Sequence, residues 1–266
     1  IDMAGGGGEV AMDNRASFKI YPRIDKVYTH KSSLNFDLMK TSIMKYRPHD
    51  KWTNFCHWFA FSLVGILTGF TASLMVLMED NLTAFKKDTV DSIINNKTGD
   101  LWPAWAFFVS FSVALAIIAS CMTVWWGPGA NGSGVAELIA IMNGINYPGV
   151  FTFPTFVTKA VGVVFAVVGG LTVGKEGPLA HIGACVGIYV ASFPIKHFDT
   201  LRNDVNKRTL IAAGTSAGVA AAFGAPIGGT LFSYEMSKPN TFWRFTTIWK
   251  VFFSCALAVF SLAMFG

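Results

Sequence analysis

The sequence predicts an all-α polytopic membrane protein, and three observations carry that prediction. Of its 266 residues 52% are hydrophobic and 14% charged, with a mean hydropathy of +0.46, whereas soluble domains carry about 25% charge. Two uncharged apolar stretches are each long enough to cross a bilayer. The apolar segments that follow are shorter and are punctuated by glycine and proline. Disorder is excluded by the 24 Phe and 8 Trp. The net charge of +5 is concentrated in the N-terminal region and between apolar stretches. Cations at such places suit the edges of a membrane and make a poor nucleic-acid footprint.

Residues 1–50 are polar and contain Gly5 to Gly8, a composition that suits a mobile tail. No charged, apolar and small-residue succession marks a signal peptide. The chain begins at Ile1 rather than Met and ends at Gly266 inside an apolar run, which leaves a fragment and a natural truncation both open. The first span, Phe59 to Met78, is 20 uncharged residues long, about 30 Å as a helix. The second, Leu101 to Trp126, has Trp102, Trp105, Trp125 and Trp126 at its ends, where interfacial aromatics belong, and its length suggests tilt.

Residues 79–100 read as a polar loop with two glycosylation sequons, Asn81-Leu82-Thr83 and Asn96-Lys97-Thr98. Nine Lys/Arg lie up to position 51 and three in this loop, so the positive-inside bias puts the tail in the cytosol and the loop across the membrane. Beyond Trp126 the apolar segments are Gly132 to Asn143, Phe156 to Val173, Leu179 to Phe193, Thr209 to Phe223, Pro226 to Met236 and Trp243 to Gly266. Polar, Gly-rich breaks at 127–134, 174–178 and 224–229 interrupt them. Irregular backbone at membrane depth survives only where protein or a watery cavity satisfies it, and such interruptions point to a transport site made of broken helices. Gly214 with Gly218, and Gly224 with Gly228, are spaced to let helices approach closely. Cys56, Cys121, Cys185 and Cys255 form no disulfide or metal pattern and read as buried free thiols.

Two breaks carry chemistry. In Gly-Ser-Gly-Val-Ala-Glu (132–137), a helix starting near Gly134 leaves its first amides unpaired and its positive dipole end open, with Ser133 where an N-cap would sit. Bare N–H groups and a hydroxyl make an anion site without a formal cation, as conduction requires. An ordinary Ser cap with Glu137 favouring the dipole explains the same residues. No Gly-Lys-Ser/Thr follows, so this is not a nucleotide phosphate loop. In Gly-Lys-Glu-Gly-Pro (174–178), Pro178 sits in a first helical turn, and Glu176 lies between the ends of two apolar runs, where an ionisable group is a functional candidate. An interfacial Lys–Glu pair is the alternative. The third break, within Ala217 to Glu235, reads mainly as close helix packing, with Glu235 as its one acid.

Together these segments resemble the CLC family of chloride channels and chloride/proton exchangers. Residues 132–137 match its GSGIPE, Gly174 to Pro178 its GKEGP, and Ala217 to Glu235 its AGVAAAFGAPIGGVLFSLE, in the family's order, over about residues 50–266. The third motif is most similar to the eukaryotic endosomal/lysosomal branch, which implies an endosomal or lysosomal membrane ahead of the plasma membrane. The resemblance implies one inverted-topology repeat of tilted, partial helices. Residues 51–266 would be the first half of the transmembrane domain, with the second half and the CBS domains absent, and 1–50 a cytosolic tail. It implies a dimer, with itself or with relatives, in which each subunit carries its own pathway. Ser133, Gly134 and Val135 would bind chloride centrally. Amides of Gly177, Pro178 and Leu179 would line the outer site, Glu176 would gate it, and Lys175 would add positive potential at the external mouth.

The chain departs from the family pattern at two of these positions. Exchangers end the third motif in Glu-Glu, the second acid relaying protons; here that position is Met236, beside Glu235, and a thioether carries no proton. Channel-like or weakly proton-coupled anion flux follows, gated by voltage or pH. The motif's proline is Ala136, which keeps the helix start and loosens it. Nitrate-selective relatives replace the serine by proline, so Ser133 favours chloride. A second reading is a truncated, non-conducting subunit that associates with full-length relatives through its last two helices. No cofactor, metal or enzyme activity is expected: His57 and His181 are lone residues at membrane positions, and no nucleophile–base pair is present.

Overall fold

With no proline to interrupt it, the first apolar stretch does not stop at Met78. Helix α1 (Lys51–Asn96) runs for 46 residues, about 69 Å at 1.5 Å per residue, so the segment expected as a polar loop is helical through Asn96. One face of this part packs on the bundle: Leu82, Lys86, Val90 and Ile93 recur at three- and four-residue spacing and are buried or half-buried, while Asp80, Asn81, Lys87, Asp88 and Asp91 are exposed. Asn81 is exposed on this helix, and the rest of the Asn96 sequon lies outside the described residues. The computed structural model describes residues 51–96, 101–145, 147, 149–193, 204–237, 243 and 245–265. The tail over 1–50 falls outside them.

Among the described residues every regular element is helical. After α1 come α2 (Trp102–Trp125), a 3-10 turn (Pro128–Ala130), α3 (Val135–Met142), α4 (Phe153–Val168), α5 (Glu176–Ser192), α6 (Asp204–Phe223), α7 (Pro226–Met236) and α8 (Phe245–Phe265). Helices α1, α2 and α8 are long and apolar enough to cross a membrane. The expected segments and breaks thus become helices and turns, in an all-α membrane protein. Helix α2 is mostly exposed along its apolar surface, with Trp102 and Trp125 at its ends 75% and 81% accessible, as a lipid-facing helix with interfacial aromatics would be.

Helices α5 and α6 form the centre. From Pro178 to Gly187 every residue of α5 is buried, and α6 is buried continuously from Leu210 to Ala221, as expected of helices apolar all round. Glycine sets their approach: Gly183 and Gly214 face each other, each against the other's carbonyl, while Gly218 meets Leu179 and Gly187 meets Leu210. Here the small-residue expectation holds for Gly214 and Gly218. Gly224 and Gly228 do not pack a helix pair; Gly224 makes the turn between α6 and α7 with φ +63°, and the glycine pressed on α6 is Gly229. Helix α1 packs on α8 in the same manner, Gly65 on Ser254 and Gly69 on Ala258 and Ser261. Cys56, Cys185 and Cys255 are buried free thiols as expected, but Cys121 is only partly buried, because α2 exposes most of its surface.

A methyl group at Gly214 would collide with the Gly183 backbone, which cannot step aside. Gly214→Ala is therefore expected to destabilise the protein by about 1–3 kcal/mol or more, lowering the thermal unfolding midpoint in detergent. Gly162→Ala on α4, where a Cβ meets nothing within 4 Å, should leave the midpoint unchanged or raise it slightly.

Candidate functional site

The two breaks singled out in the sequence meet. A Cβ placed on Gly177 would lie 2.8 Å from Ser133 Cβ and 3.5 Å from Val135 Cγ2, so the start of α5 rests directly against the start of α3. The N-cap of α3 is Gly134, one residue later than expected, with φ +83°. Only glycine adopts that conformation readily, and a side chain there would also run into the His181 ring. Ser133 therefore stands just ahead of the cap, exposed, and its hydroxyl oxygen accepts from Val135 N–H at 3.4 Å. The first intrahelical bond of α3 is Leu138 N–H to Gly134 C=O at 3.0 Å, which leaves the Ala136 and Glu137 amides open ahead of it. A proline at 136 would have removed one of them.

At the start of α5, Glu176 is the first helical residue and no side chain caps the helix. Pro178 has no N–H, and Leu179 N–H donates to Lys175 C=O at 2.9 Å. Of the three amides expected to line an outer site, only Gly177 remains open, with Glu176 preceding it. Pro178 and Leu179 are buried beneath them. The Glu176 side chain is exposed and folds back over Gly174, with no hydrogen bond or ion pair to any described residue. Lys175, expected to add positive potential at the external mouth, makes an ion pair with Glu79 of α1, Nζ to Oε2 at 2.9 Å. Glu79 lies in the segment misread as a loop, so its reach to α5 was invisible.

Met236 and Glu235 are elsewhere. Met236 ends α7, packs against the hydrophobic cluster that includes Leu138, Ile141 and Met142 of α3, and its carbonyl accepts from Asn143 Nδ2 at 3.4 Å. It thus sits at the far end of α3 from Ser133. Glu235 is exposed.

Three residues that the sequence reading passed over are the buried cations. Lys159, 4% exposed in the middle of α4, donates to Ala130 C=O and Gly132 C=O, both at 2.9 Å, and so holds the loop that delivers Ser133. Arg208 of α6, also 4% exposed, donates to Ile141 C=O and Gly144 C=O at the end of α3. Lys86 donates to Val168 C=O, the last residue of α4, at 3.0 Å and to Ser112 Oγ at 2.8 Å, over the Phe108 ring. Among the described side chains no Asp or Glu is buried. Lys159 stood inside an apolar run, a signal as strong as the one read at Glu176. Behind the site His181 donates Nε2–H to Val150 C=O at 3.0 Å, its edge against Phe151; it is the packing residue expected. No group of three or more His, Cys, Asp or Glu among the described residues could hold a metal.

A helical membrane bundle whose short helices bring uncapped starts together defines a membrane protein of the broken-helix type found in transporters. The chain belongs to the voltage gated chloride channel family, whose model matches residues 114–266. It is 34% identical over 254 residues to chloride channel protein CLC-a of Arabidopsis thaliana, covering 89% of this chain and 32% of that protein. It is 35% identical over 214 residues to the human H(+)/Cl(-) exchange transporter 7, covering 77% and 26%. The chain thus spans a third or less of the length of these relatives. The fold is similar to a slow cyanobacterial Cl-/H+ antiporter (TM-score 0.67, 22% identity, 79% of this chain and 47% of that one). A eukaryotic CLC transporter is also similar (TM-score 0.64, 24% identity, 79% and 39%).

Lys159→Met would leave the Ala130 and Gly132 carbonyls without their donor, at about 1–3 kcal/mol for the buried Ala130 group and less for exposed Gly132. Amide exchange of residues 130–134 should then rise at least tenfold relative to α6, read by hydrogen–deuterium exchange. Unchanged exchange would remove Lys159 from the support of this loop.

Proposed function

We propose that the chain forms the first half of a CLC-type anion pathway, in which chloride is held by the open starts of α3 and α5. The observation that carries this reading is the contact of Gly177 with Ser133: two uncapped helix starts converge on one place. Donors there are the Ser133 hydroxyl and the amides of Ala136, Glu137 and Gly177, with Gly134 and Val135 shaping the turn. Such a site attracts an anion by aligned dipoles rather than by direct contact with a cation, so that the ion can leave again. Pro178 and Leu179 support the α5 start from beneath.

Glu176 is the gate. Its carboxylate sits at the start of α5 without a partner among the described residues, free to enter the anion's place when charged and to leave it when protonated or displaced. Lys175, held by Glu79, contributes less to the external field than an unpaired lysine would. Met236 cannot relay a proton, so flux is channel-like or weakly coupled, even though relatives bear the name of proton exchangers. Residues 1–50 form a cytosolic tail. The working assembly is a dimer, with itself or with relatives, and the third motif's likeness favours an endosomal or lysosomal membrane.

In vesicles or cells expressing the chain within its working assembly, Glu176→Gln should abolish most of the pH and voltage dependence of chloride flux while flux itself persists. Gating identical to the parent would reject Glu176 as the gate. Strict proton uptake tied to chloride efflux in the parent protein would reject the role given to Met236.

A further inference from the structure

At the start of α5 a lysine has one carboxylate beside it in sequence and another across from it on α1. Lys175 is the N-cap residue of α5 and Glu176 the first helical residue, yet Lys175 pairs with Glu79, 96 residues earlier in the chain, and not with its neighbour. The reason lies on α1. Glu79, Leu82 and Lys86 recur at three- and four-residue spacing, so Glu79 stands on the face that packs on the bundle, its side chain 21% exposed. A lysine at a helix start opposes the positive end of the dipole, and Glu79 supplies the compensating charge. Glu176 is left to fold back over Gly174, where the lack of a Cβ gives its carboxylate room. The elements packed on α5 carry other charges. Asp80 of α1 is exposed, Glu137 of α3 is half-buried in the first turn, and Lys159 of α4 is bound to the Ala130 and Gly132 carbonyls. Helix α6 meets this end of α5 at Gly218, whereas its Lys207 and Arg208 lie toward the other end, where Leu210 meets Gly187. These groups stay the same when Glu79 or Lys175 is replaced.

We infer that Glu79 is a positioning residue for the gate: by holding Lys175 across to α1 it keeps that cation off Glu176, so the gating carboxylate stays free to enter and leave the anion's place. The inference rests on the reading of Glu176 as the gate. Without Glu79, Lys175 has the adjacent Glu176 carboxylate to turn to. A positive charge left beside Glu176 favours its ionised form, so more acid is needed to displace it. Removing Lys175 alone leaves the negative charge of Glu79 instead and does the opposite. Removing both leaves neither. At about 7 Å in water a unit charge moves such a midpoint by about half a pH unit.

The test is the pH profile of chloride flux in vesicles or cells expressing the chain within its working assembly, at low ionic strength where screening is weak. Glu79→Gln is expected to move the midpoint about 0.5 pH unit lower and Lys175→Met about 0.5 higher, with the double variant back within about 0.2 of the parent. Glu79→Asp keeps the charge and should also stay within about 0.2 pH unit of the parent. A pair that only tied α1 to α5 would move both single variants the same way, with no return in the double. Shifts of one sign, no shift in Glu79→Gln, or equal shifts in Glu79→Asp and Glu79→Gln would overturn the inference. Should Glu79→Gln not fold, Lys175→Met decides alone: a midpoint that moves lower, or stays, overturns it. Glu176→Gln separates the two claims. If it keeps the parent's pH dependence, the gate reading fails and this inference with it. If it flattens the profile and the single variants do not move in opposite directions, this inference alone is lost.

Discussion

A helix that stops inside a membrane leaves three or four N–H groups open at its start and as many C=O groups at its end, and lipid can satisfy neither. The rest of this structure follows from how those ends are closed. The carbonyl ends are met by donors of the chain itself: Lys86 at the end of α4, Arg208 at the end of α3, and Asn143 at the end of α7. Lys159 does the same for the loop before α3. Amide ends are treated differently. Thr152 caps α4 with its hydroxyl, but α3 and α5 have no capping side chain and lie against each other. Open donors are left at these two adjoining starts, as they are at the starts of α2 and α7, which have no capping side chain either.

This asymmetry also settles the charge of the interior. Burying a cation costs several kcal/mol unless geometry and hydrogen bonds compensate; each buried cation here gains carbonyl partners, and for Lys86 and Arg208 these lie at a helix C-terminus, where the dipole also favours a cation. The acids stay at the rim: Glu79 on Lys175, Glu176 exposed at the α5 start, Glu235 exposed at the end of α7. Among the described side chains no carboxylate is buried, so the buried formal charges there are positive.

Much of this was legible in the sequence because hydropathy and Gly/Pro punctuation are local signals. They located the spans, the broken helices and the two motifs, and Gly214 and Gly218 announced their close contact. What failed was non-local. The polar half of α1 was read as a loop since its composition is polar, although its apolar stripe and lack of proline favoured a helix, and with it Glu79 was lost as the partner of Lys175. The outer-site amides implied for Gly177 to Leu179 reduce to the open one of Gly177, because the first turn of α5 depends on where the backbone bond from Leu179 to Lys175 forms. Arg208 sits near the polar start of α6 and gave no hint that it reaches the end of a helix 67 residues earlier in the chain. Lys159 was different: its signal was local and was overlooked.

The placement of the site is inherited from packing that has no chemistry of its own. Leu179 belongs to the first turn of α5, and its carbonyl is the surface on which Gly218 of α6 rests; one turn further along, Gly183 is locked to Gly214. The open amide of Gly177 is therefore fixed by backbone contact within two turns of it, on a helix with almost no freedom to slide. Helix α3 has only eight residues and no such glycine seam; it is held at both ends by cations on other helices, Lys159 on α4 and Arg208 on α6. One side of the convergence is set by shape and the other by charge. A displacement of α5 must break steric locks along its length, whereas α3 needs only the loss of a few hydrogen bonds at one end, so α3 and the exposed Glu176 side chain shift more readily than the body of α5.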